Sequence, residues 1–270
     1  ENRLPFSEGY EYQSMDITSR EKVQEVVATV KPNVIIHTAA MTNVDQCESE
    51  KDACWAQNVS SVEYLIEACS KIDCFLLHVS TDFIFDGLAG PYKEDDLPCP
   101  VSFYGESKLA AELLLKESEI EWAILRTIIV YGVVNDMSRS NIVLWAKGAL
   151  EKGNPINIVN DQWRMPTLAE DLAEICLLAV SKRAKGVYNA SGKDMMSIIE
   201  LVEQVADFYG LDKSLINPIS SASLNQAAKR PVKTGFILDK SIKELGYDPH
   251  SFIEGMKIME AQVKQLQTNS

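Results

Sequence analysis

Tyr104-Gly105-Glu106-Ser107-Lys108, read with Val79-Ser80-Thr81-Asp82 upstream, is the stretch on which the fold and the chemistry turn. A helix over 103–117 places Tyr104 and Lys108 one turn apart on the same face. A free tyrosine titrates near ~10, and a neighbouring positive charge favours its anion. Thr81, at the end of an apolar run, offers a hydroxyl to a substrate carbonyl at the same point. Together these groups could protonate a ketone oxygen while a hydride arrives at carbon.

The Tyr-x-x-x-Lys spacing by itself carries little weight. With nine tyrosines in 270 residues, about 0.6 matches are expected by chance, so context must decide. A second copy exists, Tyr209-Gly210-Leu211-Asp212-Lys213, but Gly210 there reads as a helix stop. No apolar strand ending in Ser or Thr closely precedes it.

Outward from the first copy, apolar runs alternate with helical periodicity. Thr18 reads as the N-cap of a helix over 19–30, with Glu21 three residues on and Pro32 beyond its end. Residues 34–40 read as a strand buried on both faces, the mark of a parallel sheet. A polar loop over 41–50 and a helix over 51–70 follow. Asn58 falls mid-helix, where an exposed position is the plain reading. Further strands are expected at 75–80, at 122–131, at 155–159 and at 186–190, with a short one at 10–13. Helices are expected at about 141–152, 168–181, 197–208, 239–245 and 251–266, with 161–167 and 214–235 as loops. Residues 1–15 are otherwise polar and turn-rich.

This order argues for an α/β fold: a Rossmann-like, doubly wound parallel sheet covered by helices, with a small C-terminal α+β domain. The expected division gives 1–132 and about 168–190 to the sheet domain, and about 133–167 with 191–270 to the second domain. In such sheets ligands bind outside the carboxyl ends of the strands. Thr38 to Ala40, Thr81 and Thr127 to Tyr131 all fall at such ends.

Composition bounds the partners. A net charge of −13 argues against nucleic acid and anionic membrane, which both call for basic surface. Six cysteines without a C-x-x-C pair, and no long apolar run, fit a reducing cytoplasm. Three histidines make a histidine-rich metal site a poor expectation, and His37 and His78 in apolar runs read as satisfied buried imidazoles. A homodimer is compatible with the sequence but not dictated by it.

One expected feature is missing. A dinucleotide-binding sheet opens with a strand, a Gly-rich turn and a helix whose N-terminus holds the pyrophosphate. Before residue 100 the only glycines are Gly9, Gly87 and Gly90, and no G-x-G-x-x-G or G-x-x-G-x-x-G occurs. Either the chain lacks roughly 30 residues, the size of a strand-helix-strand opening, or it binds no dinucleotide; the downstream pattern favours the first.

Several separated motifs in order then carry a resemblance. They are Val79 through Gly87, Pro91-Tyr92-Lys93-Glu94-Asp95-Asp96, Tyr104 through Lys108, and Leu125 through Gly132. His37-Thr38-Ala39-Ala40, Asp161-Gln162 with Pro166-Thr167, and Arg230-Pro231 extend it over nearly the whole chain. The chain resembles the extended short-chain dehydrogenase/reductases, and within them the dTDP-4-dehydrorhamnose reductases. The resemblance implies reduction of a 4-keto group on a nucleotide-activated deoxysugar with NADPH or NADH. It implies Tyr104 as general acid, Lys108 as the group that binds the nicotinamide ribose and lowers the phenol pKa, and Thr81 as hydrogen-bond partner of the carbonyl. Ala39 and Ala40 would line the cofactor pocket, Asp16 and Ile17 would lie near the adenine, and Asn58 would support the lysine through water. Asp82, Trp163 and Arg230 would face the nucleotide sugar. Plainer readings stand beside these: Asp16 as a helix cap, Trp163 as a packed aromatic, Arg230 as a surface charge, and Arg126 in a structural ion pair. Reductases of this pathway usually carry small residues after the glutamine, so Trp163-Arg164 is expected to reshape the sugar pocket. The same subfamily resembles the regulatory beta subunit of methionine adenosyltransferase, which gives an alternative as a non-catalytic partner protein. A dehydratase would want an acidic pair after Thr81, where Asp82-Phe83 offers one acid.

Overall fold

In the computed structural model, which describes residues 9–133 and 141–268, the apolar runs become one parallel sheet. The polar opening expected over 1–8 lies outside the described residues. In chain order the main elements are α1 (Arg20–Val30), β1 (Val34–His37), α2 (Val44–Ser49), α3 (Lys51–Trp55), α4 (Ser61–Cys69), β2 (Phe75–Thr81), α5 (Phe103–Glu117), β3 (Trp122–Thr127), α6 (Ile142–Glu151), β4 (Ile156–Val159), α7 (Ala169–Ser181), β5 (Gly186–Ala190), α8 (Ile198–Tyr209), β6 (Ile216–Ile219) and α9 (Phe252–Thr268). The sheet runs β1-β2-β3-β5, with Ile36 beside Leu77, Leu77 beside Ala123 and Ala123 beside Gly186.

Side-chain alternation along a strand gives each face its own cover. Phe75 and Leu77 of β2, with Ala123 and Leu125 of β3, pack in one cluster with Ile175, Cys176 and Ala179 of α7. Leu76 and Ile124 turn the other way, onto Val23 and Val27 of α1, Val62 and Leu65 of α4, and Ala111 and Leu115 of α5. Helices therefore cover both faces, as the α/β pattern requires. A further cluster joins α6, α8 and α9 to the two-stranded pair β4–β6.

Several expectations change. β1 is not buried on both faces: Ile36 is 39% exposed, because β1 is an edge of the described sheet, with β2 on one side only. The strand ends at His37, and no strand forms at residues 10–13. Ser19, not Thr18, caps α1; its side chain accepts from the Lys22 amide. The loop at 41–50 holds the short helix α2, capped by Asn43. The helix at 51–70 is broken by a π-turn over Ala56–Ser60. Within the two expected loops, Trp163–Arg164 pairs antiparallel with Met196–Ser197, Thr167–Leu168 pairs with Val130–Tyr131, and β6 runs parallel to β4. Pro218 is tolerated in β6 because a two-stranded sheet has only edge strands. The second Tyr-x-x-x-Lys copy is indeed split, with Gly210 left-handed at φ 66 ending α8.

The α5 face of the sheet also carries charge. Arg126 of β3 makes two hydrogen bonds to the Glu112 carboxylate of α5, at 2.9 and 2.7 Å, and Ser80 of β2 donates a third at 2.7 Å. Both charged partners are essentially inaccessible. Burial pushes the Glu112 carboxyl up, but Arg126 and Ser80 outweigh it and hold it below its ordinary value. Replacing Arg126 by Met leaves the buried carboxylate with only the half-buried Lys116, 3.4 Å away, as counter-charge, at an expected cost of about 3 kcal/mol in urea unfolding. The wild-type contribution of Glu112 is present above its ordinary pKa of 4.5 and is lost as pH falls through its lowered folded value. A variant within 1 kcal/mol (about one ordinary hydrogen bond) of wild type would contradict this.

Candidate active site

The N-terminus of α5 is held from two directions. Ser102 Oγ accepts from the Gly105 amide at 3.3 Å, and Glu48 of α2 accepts from the Phe103 amide at 2.7 Å. Gly105 is required by close approach: a Cβ there would collide with the Phe83 carbonyl oxygen and meet Pro100 Cβ at 3.0 Å. This brings Tyr104 against the end of β2. Its ring packs edge-on to Phe83, with centroids 5.6 Å apart, in a cluster with Met41, Cys47 and Cys54.

Burial pushes the Tyr104 phenol upward, while the neighbouring Thr81 side chain pulls the other way. The net shift is up, so the lowering expected from Lys108 is reversed by desolvation. The phenol stays protonated through neutral pH, the state a proton donor needs. Thr81 Oγ1 also donates to Asp82 Oδ1 at 3.1 Å and accepts from the Phe83 amide at 3.2 Å. Lys108, one turn along α5, is 3% exposed. Its Nζ donates to the Val79 carbonyl at 2.8 Å and lies 3.0 Å from His78 Nε2. Burial lowers its pKa to about 8, against the raising effect of Glu112. His37 and His78 are buried as expected, but His37 Nε2 and His78 Nδ1 have no hydrogen-bond partner among the described residues, so neither imidazole is fully satisfied.

Asn58 is not exposed. It is buried in the π-turn, where its Oδ1 accepts from the Met41 amide at 2.8 Å. Its Nδ2 donates to the Met41 carbonyl at 3.1 Å and to Ser107 Oγ at 3.0 Å. One side chain thus ties the loop after β1 to α5. Its hydrogen bonds run to Met41, Cys54 and Ser107, with none to Lys108. A single π-turn at such a point is a common device for aiming a side chain. Ser107, fully buried, also donates to the Tyr104 carbonyl at 2.7 Å. Ser107 carries no role in the sequence reading, and its signal is its place one turn before Ala111 on the buried face of α5; His78 reads there only as a satisfied core imidazole.

On the sugar side the expectations divide. Asp82 does not face a cleft. It is 2% exposed, its Oδ2 accepts from the Thr234 hydroxyl, and Arg164 Nε stands 3.7 Å away. Burial raises the Asp82 carboxyl even beside Arg164. Arg164 does not enter the pocket either: its guanidinium donates to the backbone carbonyls of Trp163, Pro231 and Val232. Buried carbonyls need donors, so Arg164 is a brace for the 231–234 segment. Trp163, partly exposed, lines a surface hollow with Gly87, Leu88, Val232 and Lys233. Arg230 lines a neighbouring cleft with Asp86, Val101, Gln162 and Leu224. It is latched to Asp45 of α2 by an ion pair at 2.7 Å, and Asp45 also accepts from the Ala228 amide at 3.0 Å. Arg230 is thus both cleft-lining and paired.

At the cofactor end, Thr38 and Ala39 are exposed beyond β1 and Ala40 is half-buried, so small residues leave the strand end open. Asp16 is exposed in a turn, its Oδ1 accepting from the Thr18 amide at 2.9 Å and hydroxyl at 2.7 Å; Ile17 beside it is half-buried. Asp16 thus closes a turn onto Thr18 ahead of α1 and does not cap the helix, which Ser19 caps. Lys108, Tyr104 and the open strand end suit the nicotinamide ribose half of a dinucleotide. The described residues contain no Gly-rich turn for the pyrophosphate. Among them there is also no cluster of His, Cys, Asp and Glu fit to hold a metal ion.

Residues 7–265 match the RmlD substrate binding domain. A dTDP-4-dehydrorhamnose reductase of Aggregatibacter actinomycetemcomitans is 32% identical over 263 residues, spanning 93% of this chain and 88% of that protein. The methionine adenosyltransferase 2 subunit beta of Rattus norvegicus is 30% identical over 225 residues, spanning 82% of this chain and 67% of that protein. Among solved structures, a dTDP-4-dehydrorhamnose reductase from Bacillus anthracis in complex with NADP superposes with a TM-score of 0.85 at 28% identity, covering 92% of this chain and 87% of that one.

The Asp45–Arg230 latch makes a prediction. Asp45→Asn and Arg230→Ala should each free the 224–232 segment from α2 and speed tryptic cleavage after Lys229 by roughly three-fold or more, since local opening governs proteolysis. Equal cleavage rates in both variants and the wild type would show the latch to be idle.

Proposed function

We propose that this chain, which belongs to the RmlD substrate binding domain family, acts as an NADPH- or NADH-dependent reductase of a 4-keto group on a nucleotide-activated deoxysugar, of the dTDP-4-dehydrorhamnose type. The observation that carries this is the buried contact of Tyr104 with Thr81, with Lys108 one turn away. The nicotinamide, when bound, supplies the hydride. The chain's residues do the rest. Thr81 holds the ketone oxygen, Tyr104 delivers a proton to it, and the carbonyl becomes an alcohol with one hydride and one proton added. Lys108 holds the nicotinamide ribose and keeps a positive charge near the phenolate that proton transfer leaves. Ala39 and Ala40 leave room for the cofactor, and Asn58 fixes the frame around them. Trp163 and Arg230 line the sugar side.

In this reading the sheet cluster forms the cofactor domain over 1–132 and about 168–190, and the α6–α8–α9 cluster forms the substrate domain. The described residues include no helix long and apolar enough to cross a membrane, and the six cysteines are free thiols, in keeping with a cytoplasmic enzyme.

The likeness to the methionine adenosyltransferase 2 subunit beta supports a second reading, as a partner of a synthetase. The two separate cleanly. A reductase oxidises NADPH when dTDP-4-dehydrorhamnose is added, whereas a regulatory chain co-purifies with a synthetase and leaves NADPH untouched.

Tyr104→Phe removes the proton donor and should lower kcat by roughly 10²–10⁴-fold while sparing cofactor affinity. Wild-type ketone reduction should fall as pH rises through about 8, where Lys108 loses its charge. Unchanged turnover in the phenylalanine variant, or a rate flat well above that pH, would refute these roles.

A further inference from the structure

Two histidines stand side by side in the sheet, each with one nitrogen that the fold leaves unpaired. His37 and His78 are register partners on β1 and β2, and their rings stack with centroids 5.4 Å apart. Both are buried, and His37 Nε2 and His78 Nδ1 find no partner among the described residues. An unpaired buried polar atom weakens a fold, and neighbouring positions on these strands are filled by Ile, Leu and Val. Packing alone therefore does not account for imidazoles here. What the His78 ring does have is the ammonium of Lys108, 3.0 Å from Nε2.

We propose that His78 is the positioning residue of Lys108: its neutral imidazole accepts one ammonium N–H through Nε2 and, with the Val79 carbonyl, fixes the direction in which the ammonium meets its ligand. This rests on the reading of Lys108 as the group that holds the nicotinamide ribose. An ammonium carries three N–H bonds on a flexible stem. The Val79 carbonyl takes one at 2.8 Å and His78 takes a second, which leaves one for the site. Tethering two of three donors removes the freedom to rotate that a lone lysine would keep. The acceptor is uncharged, so the hold leaves the positive charge intact beside Tyr104. A carboxylate in the same place would cancel it.

The surroundings agree. From the sheet, burial and the charge of Lys108 hold His78 well below its ordinary pKa and His37 at about 3, so neither ring competes for the proton. Along α5, Tyr104 lies one turn before Lys108 and Glu112 one turn after; Glu112 is engaged by Arg126 and Ser80. From α3, Cys54 faces the same space. His37, stacked on His78, holds its ring plane. As an acceptor at Nε2, His78 must carry its proton on Nδ1, the tautomer that free imidazole populates less.

Long-range proton–nitrogen correlation spectra of the ¹⁵N-labelled protein report the tautomer directly, with no cofactor present. The chain has three histidines, so the His78→Gln spectrum assigns the signal. The expected result is a His78 that is neutral with its proton on Nδ1 at neutral pH. Carbon-13 spectra of labelled lysine then follow the Lys108 ammonium. His78→Leu should lower its pKa by about one unit, and His78→Gln, whose amide oxygen reaches toward the Nε2 position, should restore most of that shift. A His78 proton on Nε2 at neutral pH, or a Lys108 titration unmoved by the leucine change, overturns the proposal. If the leucine variant does not fold, the wild-type tautomer decides. Neither readout depends on turnover, so an inactive protein showing the expected tautomer and shift would sink the reductase reading alone.

Discussion

A helix that buries a phenol, an ammonium and a carboxylate on one face must find a sheet with polar partners in register. Tyr104, Lys108 and Glu112 follow one another at four-residue intervals on α5, and all three are buried. Burying an unpaired charge is far more costly than any single apolar contact is favourable. β2 and β3 answer with Thr81, the Val79 carbonyl and His78, and Ser80 with Arg126. Leu76, His78 and Ser80 of β2 turn toward α5 while Phe75 and Leu77 turn toward α7, so a one-residue slip of register would set the His78 and Ser80 side chains against hydrocarbon. The parallel register of the sheet and the geometry of the site are thus fixed by the same constraint.

That constraint was only half legible in the amino-acid sequence. The span of α5 and of β5, and the alternation of helix and strand, follow from periodicity, because apolar spacing reports which residues go inside. Periodicity does not report whom they face. Asn58 reads as an exposed mid-helix residue because nothing in its neighbours announces a π-turn, yet the turn swings it inward to take both polar groups of Met41 and the Ser107 hydroxyl. Trp163-Arg164 reads as a bulky insertion into the sugar pocket. In three dimensions Arg164 donates to the backbone carbonyls of Trp163, Pro231 and Val232 and so ties the 163–164 and 231–234 segments together. Asp82 follows the same logic: its charge invites a ligand on paper, while the fold closes it with Thr234. β1 reads as fully buried from composition, and its exposure depends on which strand lies beside it, a matter of topology.

The two ends of the site differ in kind. The end proposed for proton transfer is preorganised by groups that are themselves buried, so Tyr104 and Thr81 start in place. The end we propose for the sugar is built from the segments 160–167 and 224–234, braced by Arg164 and latched by Asp45 to Arg230. The chain's relatives include a reductase and a synthetase subunit.

The most direct measurement follows the hydride. Incubated with NADPH carrying deuterium at both nicotinamide C4 positions and with dTDP-4-dehydrorhamnose, the protein should place one deuterium at C4 of the reduced sugar for each NADPH oxidised, seen by proton NMR. A sugar recovered unreduced, or reduced without deuterium at C4, would contradict it.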